Sequence, residues 1–252
     1  MSITSLMTLS GSLVMLSSWA VIGQRIKTSL GDISPQIKML QRFFLCMGLF
    51  CLAIFLPQIA LNLQPTAFPK AMAWGYIVGH VALYIGLISV ISLTFSMVPR
   101  LASKQKYAIT IGIIMSVVIT ILTIKTMAFG TLPVYDAHRS VTLFNVAPVV
   151  GTLIALFATL SVLPAAILMI LNGVRNPGAR ARSFLLGGGL FVIMTAGPLH
   201  DVAKGWQLYM IADIVSIVGF VFLAWGILYR FEERLAPSRT PAPATMPSAR
   251  AI

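Results

Sequence analysis

Along this chain, long stretches of Leu, Ile, Val, Phe, Met and Ala alternate with short clusters of Lys, Arg, Pro and Asp. About 20 apolar residues carry a helix across the hydrocarbon core of a bilayer. Seven windows meet that length: 3–23, 43–64, 71–97, 108–128, 143–171, 183–201 and 206–229. The third and fifth exceed it and have room to tilt. Ser10, Ser12, Ser17 and Ser18 dilute the first. It has no basic leader and no clear cleavage site, so it reads as a retained span rather than a signal peptide. The fold class that follows is all-α, a polytopic membrane bundle of seven transmembrane helices over 1–235. The remainder, 236–252, is rich in Pro, Ala and Ser and reads as a disordered tail.

Composition agrees with the pattern. Hydrophobic residues make up 58% of the 252 and charged residues 10%, with a mean hydropathy of +0.93. A soluble domain carries roughly 25% charged residues, so soluble enzymes, disordered chains and disulfide-stapled secreted modules are excluded. Cys46 and Cys51 lie five apart inside one apolar window, on different helix faces and without a C-x-x-C spacing. They read as free buried thiols.

The net charge of +12 changes the picture only through its placement. Basic residues stand at the ends of apolar windows, not in a stripe with interleaved aromatics, so no nucleic-acid surface is read. One side collects Arg25, Lys27, Lys38, Arg42, Arg100, Lys104, Lys106, Arg175, Arg180, Arg182 and four arginines from Arg230 onward. The other has only Lys70, Lys125, Arg139 and Lys204. By the positive-inside rule the N-terminus lies outside and the C-terminus in the cytoplasm of a plasma or bacterial inner membrane. The basic rim would attract anionic lipid headgroups. Every connection is too short to hold an output domain, so a cytoplasmic signal would need a separate partner.

With this direction each polar residue acquires a depth. Gln58 and Asn62 share a face in the outer half of the second window; Tyr76, His80 and Tyr84 form an i, i+4 stripe in the third. Asn145, Pro148 and Thr152 repeat the spacing in the fifth, and Tyr209, Asp213 and Ser216 share a face of the seventh. The inner half is apolar apart from hydroxyls such as Ser89, Ser92, Thr94 and Ser96, which can bond their own helix. The asymmetry predicts a polar, outward-facing pocket above an apolar plug. A carboxylate at mid-helix needs a partner, and for Asp213 the expected partner is His80, flanked by Tyr76 or Tyr84. The pair reads either as part of a ligand site or as a clamp between helices. His200-Asp201 reads as a loop pair closing the sixth helix, and His138 as a solvated loop residue. Pro57, Pro148 and Pro198 would interrupt outer helix halves and Pro164 an inner one. Gly75 and Gly79 mark a tight helix contact.

Seven spans with an outer N-terminus resemble, in topology alone, opsins, receptors and the seven-helix sensor regions of bacterial signalling proteins. The first functional reading is a receptor- or sensor-like membrane protein binding a small ligand through His80, Asp213, Tyr76, Tyr84, Gln58, Asn62, Asn145, Tyr209 and Ser216. Retinal is disfavoured, because 207–229 contains no lysine and Lys204 stands at the boundary. A small-solute transporter is the second reading. The Pro57-Gln58 pair is similar to that of PQ-loop transporters, but the second pair is missing, since Ala165 follows Pro164. A haem or metal protein is the third, with His80, His200 and Asp201 as candidate ligands. No H-E-x-x-H, nucleophile elbow, P-loop or Glu-x-x-His pair occurs, so no catalytic residue is assigned.

Overall fold

The computed structural model describes residues 3–28, 35–60, 65–138, 141–203 and 205–229. Among them are seven helices long and apolar enough to cross a membrane, the makeup of a multi-pass membrane protein: α1 (Ile3–Thr28), α2 (Pro35–Ala60), α3 (Phe68–Met97), α4 (Gln105–Thr123), α5 (Pro148–Arg175), α6 (Arg180–Val202) and α7 (Trp206–Leu228). A π turn over Ile124–Ala128 extends α4. The predicted tail, Asn62 and Lys204 lie outside the described residues.

Boundaries differ from the hydropathy windows where polar residues belong to helices. Helix α2 begins at Pro35, eight residues before its window, because Gln36, Lys38 and Arg42 are good helix formers at an aqueous end. Helix α5 begins later, at Pro148, which therefore starts the helix rather than interrupting it. At that first position the missing N–H has no intrahelical partner to lose. Pro57, Pro164 and Pro198 do lie inside their helices.

Sequential helices pack antiparallel through small residues. A Cβ on Gly75 would stand 2.5 Å from the Ala53 carbonyl oxygen, and one on Gly79 3.1 Å from that of Phe50. The expected small-residue face is therefore the α2–α3 seam. Between α6 and α7 a Cβ on Gly219 would stand 2.5 Å from Ile193. Helix α1 returns parallel to α7, so first and last helices close the bundle, with Gly11 against Phe220. Helix α4 stays peripheral and buries only Gly112, Ile119 and Thr123.

The connection between α4 and α5 holds a feature absent from the all-α expectation. Strands β1 (Val134–Asp136) and β2 (Val141–Leu143) pair antiparallel, Tyr135 opposite Thr142. This hairpin lies across one end of the bundle, with Val141 and Phe144 joining a satellite core of Ile54, Phe68, Met72, Tyr76 and Tyr209. The β-branched Val134, Val141 and Thr142 on either side of a polar turn were its signal in sequence. The main core fills the middle of the bundle and includes Phe44, Met15, Cys51, Leu190 and Leu223. Both cysteines are buried and free, as expected.

Candidate functional site

Asp213 sits in the second turn of α7, with its side chain fully buried. A carboxylate placed at this depth in an apolar helix is tolerated only with polar company. Its company is His200, not the predicted His80: His200 Nε2 stands 2.8 Å from Asp213 Oδ1. The approach is close but off the N–H axis, so it is an electrostatic contact rather than a linear hydrogen bond. The Thr4 hydroxyl donates a long bond of 3.4 Å to Asp213 Oδ2. Thr4 Oγ1 in turn accepts the Thr142 backbone N–H at 3.5 Å. One carboxylate therefore gathers α1, α6, α7 and the hairpin. Alongside, the Ser5 hydroxyl donates to Gln58 Oε1 and ties α1 to α2.

His200 reaches Asp213 because α6 continues through it to Val202. The expected loop pair is thus a helical residue facing inward, and its partner is the next helix. The physical reason is that Pro198 lies within α6 and the helix runs on beyond it. Of Asp201, only the backbone is described.

His80 occupies a separate place. Its Nδ1 lies 2.9 Å from the Tyr76 carbonyl oxygen, one turn back on α3. Its ring stacks on Tyr76 at 3.9 Å between centroids and meets the edges of Phe50 and Tyr84 at 5.1 and 5.9 Å. The predicted stripe of Tyr76, His80 and Tyr84 is therefore real and buried, but it serves an aromatic cluster instead of pairing with Asp213.

A cavity of about 100 Å³ links the two histidines. Phe43, Met47 and Phe50 of α2, Leu83 and Leu87 of α3, and Ile154 and Ala158 of α5 form much of its wall. Met7 of α1, Met194 and Pro198 of α6, and Phe220 of α7 add to it, and Phe144 covers it from the hairpin side. Tyr76, His80, His200 and Ser216 are its polar groups. The pocket is therefore mainly apolar with one polar edge, a correction to the polar pocket expected. Apolar walls with few placed polar groups are usual for small-molecule sites.

The other predicted ligand residues divide cleanly. Gln58, Tyr84, Tyr209 and Asp213 are buried near the cavity but do not line it. Tyr209 lies edge-on to His200 at 5.6 Å. Asn145 is exposed and precedes α5, so the predicted stripe with Pro148 and Thr152 does not form. It adopts a left-handed φ of 51°, which Asn tolerates, and donates from Nδ2 to the Leu132 carbonyl at 3.2 Å. His138 is an exposed turn residue as expected, its N–H donating to Asp136 Oδ1 at 3.1 Å. Sequence reasoning missed Thr4 and Thr142. Thr4 shares a face with Ser5, Thr8 and Ser12 of the first window, and that polar run was the available signal.

The opposite, basic end is not a featureless plug. A second cavity of about 240 Å³ lies there between α2, α3, α5 and α6, with Gln36, Asn172, Arg182 and Ser183 among its lining. Asn172 Nδ2 donates to the Ser183 hydroxyl at 3.0 Å, and Gln36 Nε2 to the Ser96 carbonyl at 3.3 Å. Ser92 and Thr94 bond carbonyls of their own helix, as expected.

The arrangement does not suit a haem or metal centre. His200 Nε2 faces Asp213 and His80 Nδ1 a backbone carbonyl, contacts that ligating histidines also make, so size and the number of ligands decide. A cavity of about 100 Å³ is smaller than a porphyrin. Among the described residues no three His, Cys, Asp or Glu side chains converge on a metal-sized site. Compared with protein families, curated proteins and solved structures, the chain finds no match.

Proposed function

We propose that this protein is an integral membrane receptor or sensor that takes a small, mainly apolar ligand into its central cavity. The observation that carries the reading is the enclosure: every helix except α4 contributes to the wall, and both membrane-depth histidines meet there. An occupant would touch α6 and α7 beside the His200–Asp213 contact, where α1 and the hairpin also join. Small shifts there would travel along α6 and α7 to the basic end. The excess of Lys and Arg at that end supports a cytoplasmic placement, an outer N-terminus, contact with anionic headgroups and a separate cytoplasmic partner.

The test uses the full chain, purified in detergent and screened for stabilisation by small apolar compounds. Binding to the folded form raises the melting temperature with concentration. Ala158→Phe fills the cavity from α5 and should abolish that rise while leaving the unliganded protein folded. A rise of equal size in the variant would refute the central site.

A carrier is the second reading, supported by the position of the second cavity. Leu186 lines one cavity and Leu190, one turn on, the other; Leu40 and Phe43 are divided in the same way. A short apolar layer separates two hollows, as alternating access would require. Saturable uptake of a solute by vesicles containing the protein would favour it.

A further inference from the structure

Hydrogen-bond bookkeeping at the polar edge of the central cavity narrows the ligand class. We infer that the occupant is a hydroxyl compound on a compact apolar body, a phenol or a short alcohol. This inference rests on the cavity reading given above.

His80 sets the first requirement. Its Nδ1 lies 2.9 Å from the Tyr76 carbonyl, which can only accept, so the ring proton sits on Nδ1. In the neutral ring, Nε2 on the opposite side then holds a lone pair for the cavity that the residue lines. A ligand must bring a donor to meet it. Ser216, buried on α7, contributes a hydroxyl that can donate or accept. His200 faces the Asp213 carboxylate with Nε2, so that nitrogen carries a proton; Nδ1 is buried and makes no hydrogen bond among the described residues.

A hydroxyl group fits this set because it donates and accepts at once. It gives its proton to His80 Nε2 and accepts from Ser216. An ether or a carboxylate only accepts, and would set lone pair against lone pair at His80. A hydrocarbon leaves the edge unmade. Apart from Tyr76, the remaining wall is aliphatic, aromatic and thioether, which excludes a second charged group. A cavity of about 150 Å³ holds benzene, so a phenol needs this one to widen. The 100 Å³ here is bordered by Met7, Met47 and Met194, whose unbranched side chains readily give way.

The experiment measures binding of phenol, toluene, anisole and benzoate to the purified full-length protein by isothermal titration calorimetry, with Ala158→Phe as the blank for detergent partitioning. Phenol should bind at least about tenfold more tightly than toluene or anisole, as one unmade buried hydrogen bond implies. Benzoate should bind weakest. His80→Phe should erase the preference for phenol while toluene still binds, and Ser216→Ala should reduce it without disturbing the aromatic cluster. Phenol and toluene within twofold of each other, or a preference that survives both substitutions, overturns the hydroxyl inference but leaves the cavity reading standing. If none of the four binds above the Ala158→Phe blank, both fail.

Discussion

Helices α4 and α7 are each apolar enough to cross a membrane, yet they do opposite things. Helix α7 buries Tyr209, Asp213, Ser216, Gly219 and Phe220 against its neighbours. Helix α4 turns Ile111, Ile114, Val117, Val118 and Ile121 outward. Its polar groups ask nothing of the rest of the bundle: Ser116, Thr120 and Thr123 each donate to the carbonyl one turn back. Asp213 cannot be satisfied within its own helix and draws in His200 and Thr4. Apolar content decides which segments leave water, while polar and small residues decide which of them pack at the centre. In lipid this distinction sharpens, because apolar side chains gain little by leaving lipid tails for each other.

Four substitutions in three tests probe the contrast, the largest effect first. Asp213→Ala removes the group shared by α1, α6 and α7 and leaves two buried donors unmet, Thr4 and His200, at a cost of about 1–3 kcal/mol each. Chemical denaturation in detergent would measure it. A loss no larger than about 0.6 kcal/mol, the average for polar contacts between membrane helices, would reduce Asp213 to an ordinary clamp.

Ile114→Arg places a charge midway along the outward face of α4. If that face meets lipid, the cost is about 2.5–3.5 kcal/mol on insertion scales, read as a loss of membrane-inserted protein in a glycosylation or protease-protection assay. Undiminished insertion would mean that the face is covered by something more polar than lipid.

The smallest test is a matched pair of glycines. Gly219→Ala on α7 would force a methyl to 2.5 Å from Ile193 and should cost about 1–3 kcal/mol in overpacking. Gly112→Ala on α4 meets only side-chain atoms that can give way, Ile91 at 3.3 Å, Ile88 at 3.5 Å and Phe157 at 3.7 Å, and should be neutral or gain up to about 1 kcal/mol in helix propensity. Equal effects at both positions would erase the distinction between central and peripheral helices.

Particular residues show how far the chain could be read without coordinates. The seven apolar windows each became a helix, because backbone groups in lipid must be satisfied within the segment. Gly75 and Gly79 were legible as a close contact, since their spacing leaves one helix face bare. The α2 start was not, because Gln36 and Lys38 suit a helix as well as a loop. The hairpin was hidden by its brevity, three residues per strand. In the candidate site, His80 and Ser216 were found together with the need of Asp213 for a partner. Which histidine answers that need was beyond periodicity, which relates residues on one helix and says nothing of how two helices are rotated toward each other.

Local chemistry along the chain thus determined the number of helices, their apolar length and the presence of titratable groups at depth. Those properties depend on solvation of each segment taken alone. The choice of His200 over His80, the recruitment of Thr4 and Thr142, and the mainly apolar character of the cavity were decided by packing. Each depends on the distance between side chains more than a hundred positions apart or on separate helices, and only the close approach of the glycine-lined seams sets those distances.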